Sequence, residues 1–240
     1  MWRILSGILL MGCSYAGLSA QSHQADGCFT QMEYAPVLID NSNQTVTFKC
    51  SQATSLDLVQ AVGRQARISI GLALGRNTDA LTKEQRAYDL ENVTPEVALR
   101  EAARDAHYTL NQEGAVWVLV ADDITSRQSS LLAQRYSDFK VDNSSTMVQM
   151  GVSLTMWMRV TASPEIQGFG ASIGGSLNDE RLALKVTPLS TTEQIANMIV
   201  SLGSKGMWIL RAEPDYSDHV SIDEVEIEPY QHYSNRPNSQ

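Results

Sequence analysis

The sequence predicts an α+β fold made of two small modules in tandem, each running strand–helix–strand–strand–helix–strand. Three observations support this prediction: alternating apolar residues in short segments, apolar stripes at helical spacing between them, and a recurrence of the same order in the second half. With 43% hydrophobic and 19% charged residues, the chain has enough apolar content for a packed core. Its 240 residues suit one large domain or two small ones.

The first predicted module covers residues 43–121. It opens with an alternating strand, continues with a helix from Ser55, and returns to alternation at Ile68. A further short strand carries Tyr88 and Leu90. The apolar positions behind the strand–helix–strand prediction are Val46, Phe48, Cys50, Leu58, Val59, Val62, Ala66, Ile70 and Leu72.

A second helix is predicted to begin at Thr94, whose side chain can cap it. Pro95 suits a first turn because its missing N–H would be unsatisfied there, and Glu96 favours the positive end of the helix dipole. The segment Asn111–Gly114 is predicted to be a hairpin turn. The near-continuous apolar strand after it closes the sheet, and Trp117 is expected in the core.

This order, and the segments Leu56–Val62, Tyr88–Leu99 and Val116–Val120, resemble the secretin and TonB short N-terminal (STN) domain family. The resemblance covers about a third of the chain and rests on core and turn positions. It implies a periplasmic domain that is attached to an outer-membrane channel or receptor and makes protein contacts. It implies no catalytic, cofactor-binding or metal-binding residue.

The second predicted module covers residues 135–213. Phe139 and Trp208 follow Phe48 and Trp117 by the same interval, which favours a duplication. The hairpin partner is expected to be missing, so this module is interpreted as a degenerate copy. Its predicted elements are a strand at Tyr136–Val141, a helix at Thr146–Val160, a strand at Arg181–Val186, a helix capped by Thr191 and a strand at Gly206–Leu210.

Residues 1–20 are predicted to be an export signal. A positive start at Arg3 precedes the apolar run Ile4–Met11, which is shorter than the roughly 20 residues that span a bilayer. Three processing routes stay open. The segment ending at Cys13 resembles a lipobox, which would make Cys13 the lipidated first residue, whereas cleavage after Ala16 or Ala20 would release the chain.

The remaining segments are predicted to be connections. Residues 21–42 form a linker arm, residues 122–134 an interdomain linker that could be partly helical, and residues 214–240 an acidic polar tail. Within that tail, Val220–Ile227 alternates and could add an edge strand. The glycine-rich stretch Gly168–Gly175 lacks a phosphate-binding lysine and the dinucleotide spacing, so it is interpreted as a flexible connection.

The cysteines predict one disulfide. Of the three, Cys13 falls in the signal region, leaving Cys28 and Cys50 as a pair in an oxidising compartment. Such a bond would join the linker arm to the first strand. In the alternative interpretation, Cys50 is a small buried apolar residue of an alternating strand.

No residue has a recognisable catalytic, cofactor-binding or metal-binding pattern. The best metal candidates are Asp215, Asp218, His219 and Asp223, an oxygen-rich set that a solvated acidic tail explains equally well. His107 is expected at a helix end, where a cation is favourable. Asp122 and Asp123 are interpreted as the end of a strand rather than a catalytic pair.

The predicted function is a non-catalytic periplasmic adaptor of a secretion or TonB-type transport system. Its expected partners are envelope proteins, including an outer-membrane channel or receptor component, and its expected location is the periplasm of a Gram-negative bacterium, with or without a lipid anchor. The net charge of −9 disfavours nucleic acid as a partner. The alternative is an exported hydrolase that acts on an envelope polymer.

Overall fold

A computed structural model describes residues 44–141, 144–162, 181–202, 206–212 and 223–229. The predicted α+β class is confirmed. The first half contains β1 (Val46–Ala53), α1 (Ser55–Ala66), β2 (Ser69–Ala73), α2 (Asp79–Thr82), β3 (Arg86–Val93), α3 (Pro95–Ala106), β4 (Tyr108–Glu113) and β5 (Val116–Ala121). The second half contains α4 (Ser126–Ala133), β6 (Arg135–Tyr136), β7 (Ser145–Thr146), α5 (Met147–Ala162), β8 (Arg181–Leu182), β9 (Ser190–Thr191), α6 (Thr192–Val200), β10 (Gly206–Ala212) and β11 (Asp223–Pro229).

Threonine caps start five of the helices. Thr54, Thr94, Thr125, Thr146 and Thr191 each accept a hydrogen bond from a backbone N–H in the first turn of α1, α3, α4, α5 and α6 respectively. Such a bond satisfies one of the four N–H groups that a helix start leaves unpaired, typically contributing about 1 kcal/mol. The predicted starts at Thr94 and Thr191 are therefore confirmed.

The main sheet has five strands in the order β11–β10–β2–β5–β4. The central strand β2 runs parallel to both β5 and β10, while β4 and β11 pair antiparallel at the two edges. Because β10 comes from the predicted second module and pairs directly with β2, both halves of the chain share this sheet. Two separate tandem modules are therefore not confirmed.

Helices cover the sheet on both sides. Its first face, with Ile70, Leu72 and Leu119, packs in one core with α1 and α3. Its second face, with Val118 and Trp208, packs in another core with α4, α5 and α6. All five residues of β2 are consequently buried. Because β2 is covered on one face by helices of the first half and on the other by helices of the second half, the two halves depend on each other for the burial of this strand.

Gly71 and Trp208 pack directly against each other across the two halves. The two residues are partners in the β2–β10 register. A Cβ added at Gly71 would lie 2.4 Å from the indole ring of Trp208, so the glycine leaves the space that the ring occupies. Trp208 is fully buried, whereas Trp117, predicted to lie in the core, is only half-buried at the edge of the first core.

The predicted hairpin turn is displaced along the chain. Residues Asn111–Glu113 belong to β4, and the turn consists of Gly114 and Ala115. Gly114 has φ 60°, the left-handed conformation that suits the first position of a two-residue turn. The prediction failed because polar residues on an exposed edge strand look like turn residues in the sequence.

Two expectations for the second half differ. Most of the predicted linker 122–134 is α4, which buries Gln128, Leu131 and Leu132. The predicted strands at Tyr136–Val141 and Arg181–Val186 shorten to the two-residue β6 and β8. The edge strand expected in the tail is confirmed as β11, which pairs with β10, and no strand is described between α6 and β10.

Several predicted features lie outside the described residues. They are the export signal, the linker arm and the glycine-rich stretch Gly168–Gly175. Within the described part of the chain, no helix is both long enough and apolar enough to cross a membrane.

Candidate functional site

The edge strand β4 presents unpaired backbone groups to solvent. Among the described strands it pairs with β5 alone. At one end of the β4–β5 ladder Asp122 donates its N–H to His107 O at 3.1 Å, and at the other end Glu113 and Val116 close the hairpin. Counted from either end, every second pair of opposite residues is hydrogen-bonded. The residues whose N–H and C=O point away from β5 are therefore Tyr108, Leu110 and Gln112.

The side chains of β4 divide between the two faces of the sheet. Tyr108 is buried and Leu110 half-buried, and both pack into the core of the first face. Thr109, Asn111 and Glu113 alternate with them and are exposed. A strand added beside β4 would therefore meet an apolar face and a polar face.

A groove of about 400 Å³ lies on the second face next to β4, and we call it the strand groove. Val120, Ile124 and Leu132 provide its apolar surface. Glu113 of β4 and Glu193 of α6 provide two carboxylates. The groove therefore combines hydrocarbon and negative charge within reach of an edge strand.

Two hydrogen-bonded residues, Trp208 and Asn197, orient Glu113. Trp208 Nε1 donates to Asn197 Oδ1 at 2.7 Å, and Asn197 Nδ2 donates to Glu113 Oε2 at 3.2 Å. Since Trp208 and Asn197 are buried, the amide has a fixed orientation and can offer only its N–H₂ group to Glu113. The carboxylate at the end of β4 is thus held by the core of the other half.

Glu193 is the most perturbed carboxyl group in the described part of the chain. Burial and, to a smaller extent, the nearby charge of Glu113 together raise its pKa to about 7. The described residues that line the strand groove include no basic side chain. The pair is therefore a concentration of negative charge without a compensating cation among the groove residues.

A second, open groove of about 650 Å³ adjoins the hairpin tip, and we call it the turn groove. It shares Glu113 with the strand groove and includes Leu189 and Met198. Leu189 is 57% exposed and has φ 66°, a conformation that is unusual for a leucine. Its backbone is fixed because its N–H donates to Tyr136 O and its C=O accepts from the Arg135 guanidinium.

The carboxyl ends of β2 and β5 form a closely packed structural corner. Asp123 accepts the N–H of Asn77 at 2.9 Å and lies so close to Gly75 that an added Cβ would overlap its carboxylate. Asp122 accepts from the Thr109 hydroxyl at 3.2 Å. Both aspartates thus have partners of the kind expected at a strand end.

Tyr108 lies under this corner. Burial raises its pKa to about 12, and its hydroxyl lies beside the Gly75 backbone without a hydrogen bond of good geometry. Tyr108 lines neither groove, and its ring contributes packing at the start of β4.

The structure tests the disulfide prediction for only one of the two cysteines, Cys50. Cys50 is buried in β1 and disulfide-bonded. Its predicted partner Cys28, and the lipidation candidate Cys13, lie outside the described residues, so the Cys28–Cys50 pairing and the lipid stay predictions.

The other candidate residues do not form a site within the structure that is described. His107 ends α3 with φ 62°, and it is exposed. Asp215, Asp218 and His219 lie outside the described residues, whereas Asp223 begins β11. No three His, Cys, Asp or Glu side chains of the described ranges lie close enough together to hold a metal ion.

Sequence patterns do not reveal either carboxylate of the strand groove. In the sequence, Glu113 looks like part of a turn and Glu193 like part of a helix cap. Their proximity comes from the packing of α6 on the second face of the sheet, and no spacing in the sequence encodes it.

No family model matches the chain, and neither the curated proteins nor the solved structures contain a significant match.

Proposed function

We propose that this chain is a non-catalytic protein-binding module of the bacterial envelope, and that β4 is its binding edge. The observation that supports the proposal is the row of outward N–H and C=O groups at Tyr108, Leu110 and Gln112. A partner in extended conformation would pair with these groups and add a sixth strand to the sheet.

The energetics favour a modest, adjustable affinity. Each new backbone hydrogen bond contributes about 0.5–1.5 kcal/mol net, because both partners lose bonds to water. Association costs several kcal/mol of lost freedom, so backbone pairing alone gives weak binding. Side chains that contact Leu110 or enter the strand groove would therefore determine which partner binds.

The cellular setting follows from the family resemblance and the proposed export signal. An STN-like domain would act in the periplasm beside an outer-membrane channel or receptor, and a lipid on Cys13 would hold it at the membrane. The acidic composition, with a net charge of −9, supports a protein partner rather than nucleic acid.

The test compares two variants at one position of the full chain. Gln112→Pro removes an outward N–H without removing a β4–β5 bond, whereas Gln112→Ala keeps that N–H. A photo-crosslinker at the exposed Asn111 should capture an envelope protein with the Ala variant and lose it with the Pro variant. A crosslinker at Arg100 of α3 serves as the control.

Capture that survives Gln112→Pro would contradict strand addition. The experiment needs the full chain, because a fragment ending at Ala121 would expose Val116 and Val118, which the second half buries. A fragment could then capture proteins through a surface that the intact molecule does not present.

One observation favours the alternative, an exported hydrolase of an envelope polymer. Glu113 and Glu193 lie in one groove, and the raised pKa of Glu193 suits a general acid near neutral pH. Hydrolysis of peptidoglycan or a glycan by the purified chain, abolished by Glu193→Gln, would establish this function in place of the adaptor.

A further inference from the structure

The strand groove limits what the added strand can carry. Its charged groups are Glu113 from β4 and Glu193 from α6. The residues that β5 and α4 contribute to the lining are uncharged: Val120, Ser129, Leu132 and Ala133. The groove therefore attracts a cation, and none of the described residues that line it is basic.

The apolar part of the groove suits the hydrocarbon stem of a long side chain. Val120, Ile124 and Leu132 line the space that leads to the two carboxylates. Lysine and arginine bury their hydrocarbon stems along apolar surface while the charged end reaches polar groups. A metal ion fits less well, because Asn197 directs its N–H₂ group, and not its oxygen, towards Glu113.

The geometry of β4 sets the spacing of such residues in the partner. Side chains of an added strand would alternate between the two faces. Those on the second face would lie beside Thr109, Asn111 and Glu113 and next to the groove, and those on the first face would lie beside Leu110. An alternation of basic and apolar residues satisfies both faces.

From these observations, and resting on the proposed function, we propose that the partner of β4 is an extended segment with lysine or arginine at alternate positions. One basic side chain enters the strand groove and pairs with Glu113 and Glu193. Apolar side chains at the intervening positions pack beside Leu110.

The interaction has a defined pH dependence. Glu193 gains its charge as the pH rises through about 7, and Glu113 is the other ionisable group among the described residues that line the groove. A cation, Arg135, lines the adjoining turn groove and donates to Leu189 O. A bound cation favours the ionised form, so binding of the partner should release a proton near neutral pH. Affinity should accordingly rise between pH 6 and pH 8.

The test uses the mature chain and two synthetic octapeptides, one alternating lysine with valine and one alternating glutamate with valine. Binding is followed by NMR at the backbone amides of Leu110 and Gln112 and by calorimetry. The lysine peptide should shift these amides and bind at least about tenfold more tightly than the glutamate peptide.

Variants separate the groove from the general negative charge of the protein. Glu113→Gln and Glu193→Gln together should weaken the lysine peptide about tenfold, whereas Glu96→Gln on α3 should leave its affinity unchanged. Proton release, measured in buffers of different ionisation enthalpy, should disappear with Glu193→Gln.

Three results would overturn the inference. Equal binding of the glutamate peptide at the same amides would reject basic partners while retaining strand addition. Lysine-peptide binding that ignores both glutamines would show only long-range attraction to the acidic chain. Failure of both peptides to shift Leu110 and Gln112 would reject strand addition itself, and the proposed function with it.

Discussion

The two edges of the main sheet differ in their protection against further pairing. The sequence of β11 contains Asp223, Glu224, Glu226 and Glu228 and ends in Pro229. Charged residues and proline are the usual means by which proteins keep an edge strand from pairing with another chain. By contrast, β4 has one charged residue, Glu113, at its end, and no proline.

This difference indicates which edge of the sheet is available for pairing with another chain. Strands β4 and β11 are the two edges of the same sheet, so unspecific pairing with another chain would be equally harmful at either edge. Only β11 has a sequence that opposes pairing along its whole length. We infer that the open character of β4 is part of the protein's function, and the following predictions test that comparison.

The largest effect is expected from Trp208→Ala, which would remove a buried contact between β10 and β2 on the β11 side of the sheet. Loss of a fully buried tryptophan should cost about 3–5 kcal/mol in the free energy of unfolding, measured by chemical denaturation. The variant would also leave Asn197 Oδ1 without its donor.

Trp117→Ala is the matched control for that variant. Because Trp117 is half-buried, its loss should cost clearly less than the loss of Trp208. Equal destabilisation by the two variants would contradict the assignment of Trp208 as the main contact between the halves.

Neutralising the other edge should create a second binding edge. Replacing Glu224, Glu226 and Glu228 with threonine should strengthen self-association at least about tenfold, or about 1.4 kcal/mol, in sedimentation equilibrium. The control replaces Glu84, Glu91 and Glu96 with glutamine, which changes the net charge equally. If both triple variants associate alike, net charge and not edge protection is responsible.

A smaller effect concerns the carboxylate pair beside β4. The folded-state pKa of Glu193 is raised from 4.5 to about 7, so the wild type loses stability as the pH rises through that interval. Glu193→Gln avoids this loss and should be more stable at pH 8 by about 1 kcal/mol after allowance for solvent screening. At pH 4 both proteins carry a neutral side chain, and their unfolding free energies should agree.

The smallest effect is expected for an exposed charge away from both edges. Glu96 pairs with Arg100 on α3 at 2.7 Å, and both side chains are exposed. Glu96→Gln should change the unfolding free energy by less than about 0.5 kcal/mol in thermal or chemical denaturation. A larger change would mean that surface charge affects folding here, and would weaken the interpretation of the β11 glutamates as protection against association.

Local features of the fold were predictable from the sequence because local chemistry determines them. Thr94 and Pro95 define a helix start, and the alternation of Val46, Phe48 and Cys50 defines a half-buried strand. The pairing of β2 with β10 was not predicted, since strand partners are chosen by packing across the whole chain. One signal was available: the closing strands of both halves are almost continuously apolar, which is typical of strands buried on both faces.

The candidate site was less predictable than the fold. Glu113 and Glu193 come from different halves and meet only because α6 packs over the second face. The polar residues of β4 resembled a turn, since an exposed edge strand has few apolar residues to reveal its period. Sequence patterns report burial well, and they carry little information about exposed edges.

The central position of β2 has a consequence for the order of folding during synthesis. Ser69 at the start of β2 donates its hydroxyl to Val200 O at 2.7 Å, across a separation of 131 residues. A nascent chain that has produced only β1 to β5 can form most of its first core, which still lacks Met207 and Ile209 of β10. It also leaves Val116 and Val118 without their helices. Contacts so distant along the chain form slowly. Until α6 and β10 emerge, the growing polypeptide thus has an uncovered apolar face, to which a chaperone or a second unfinished chain would bind.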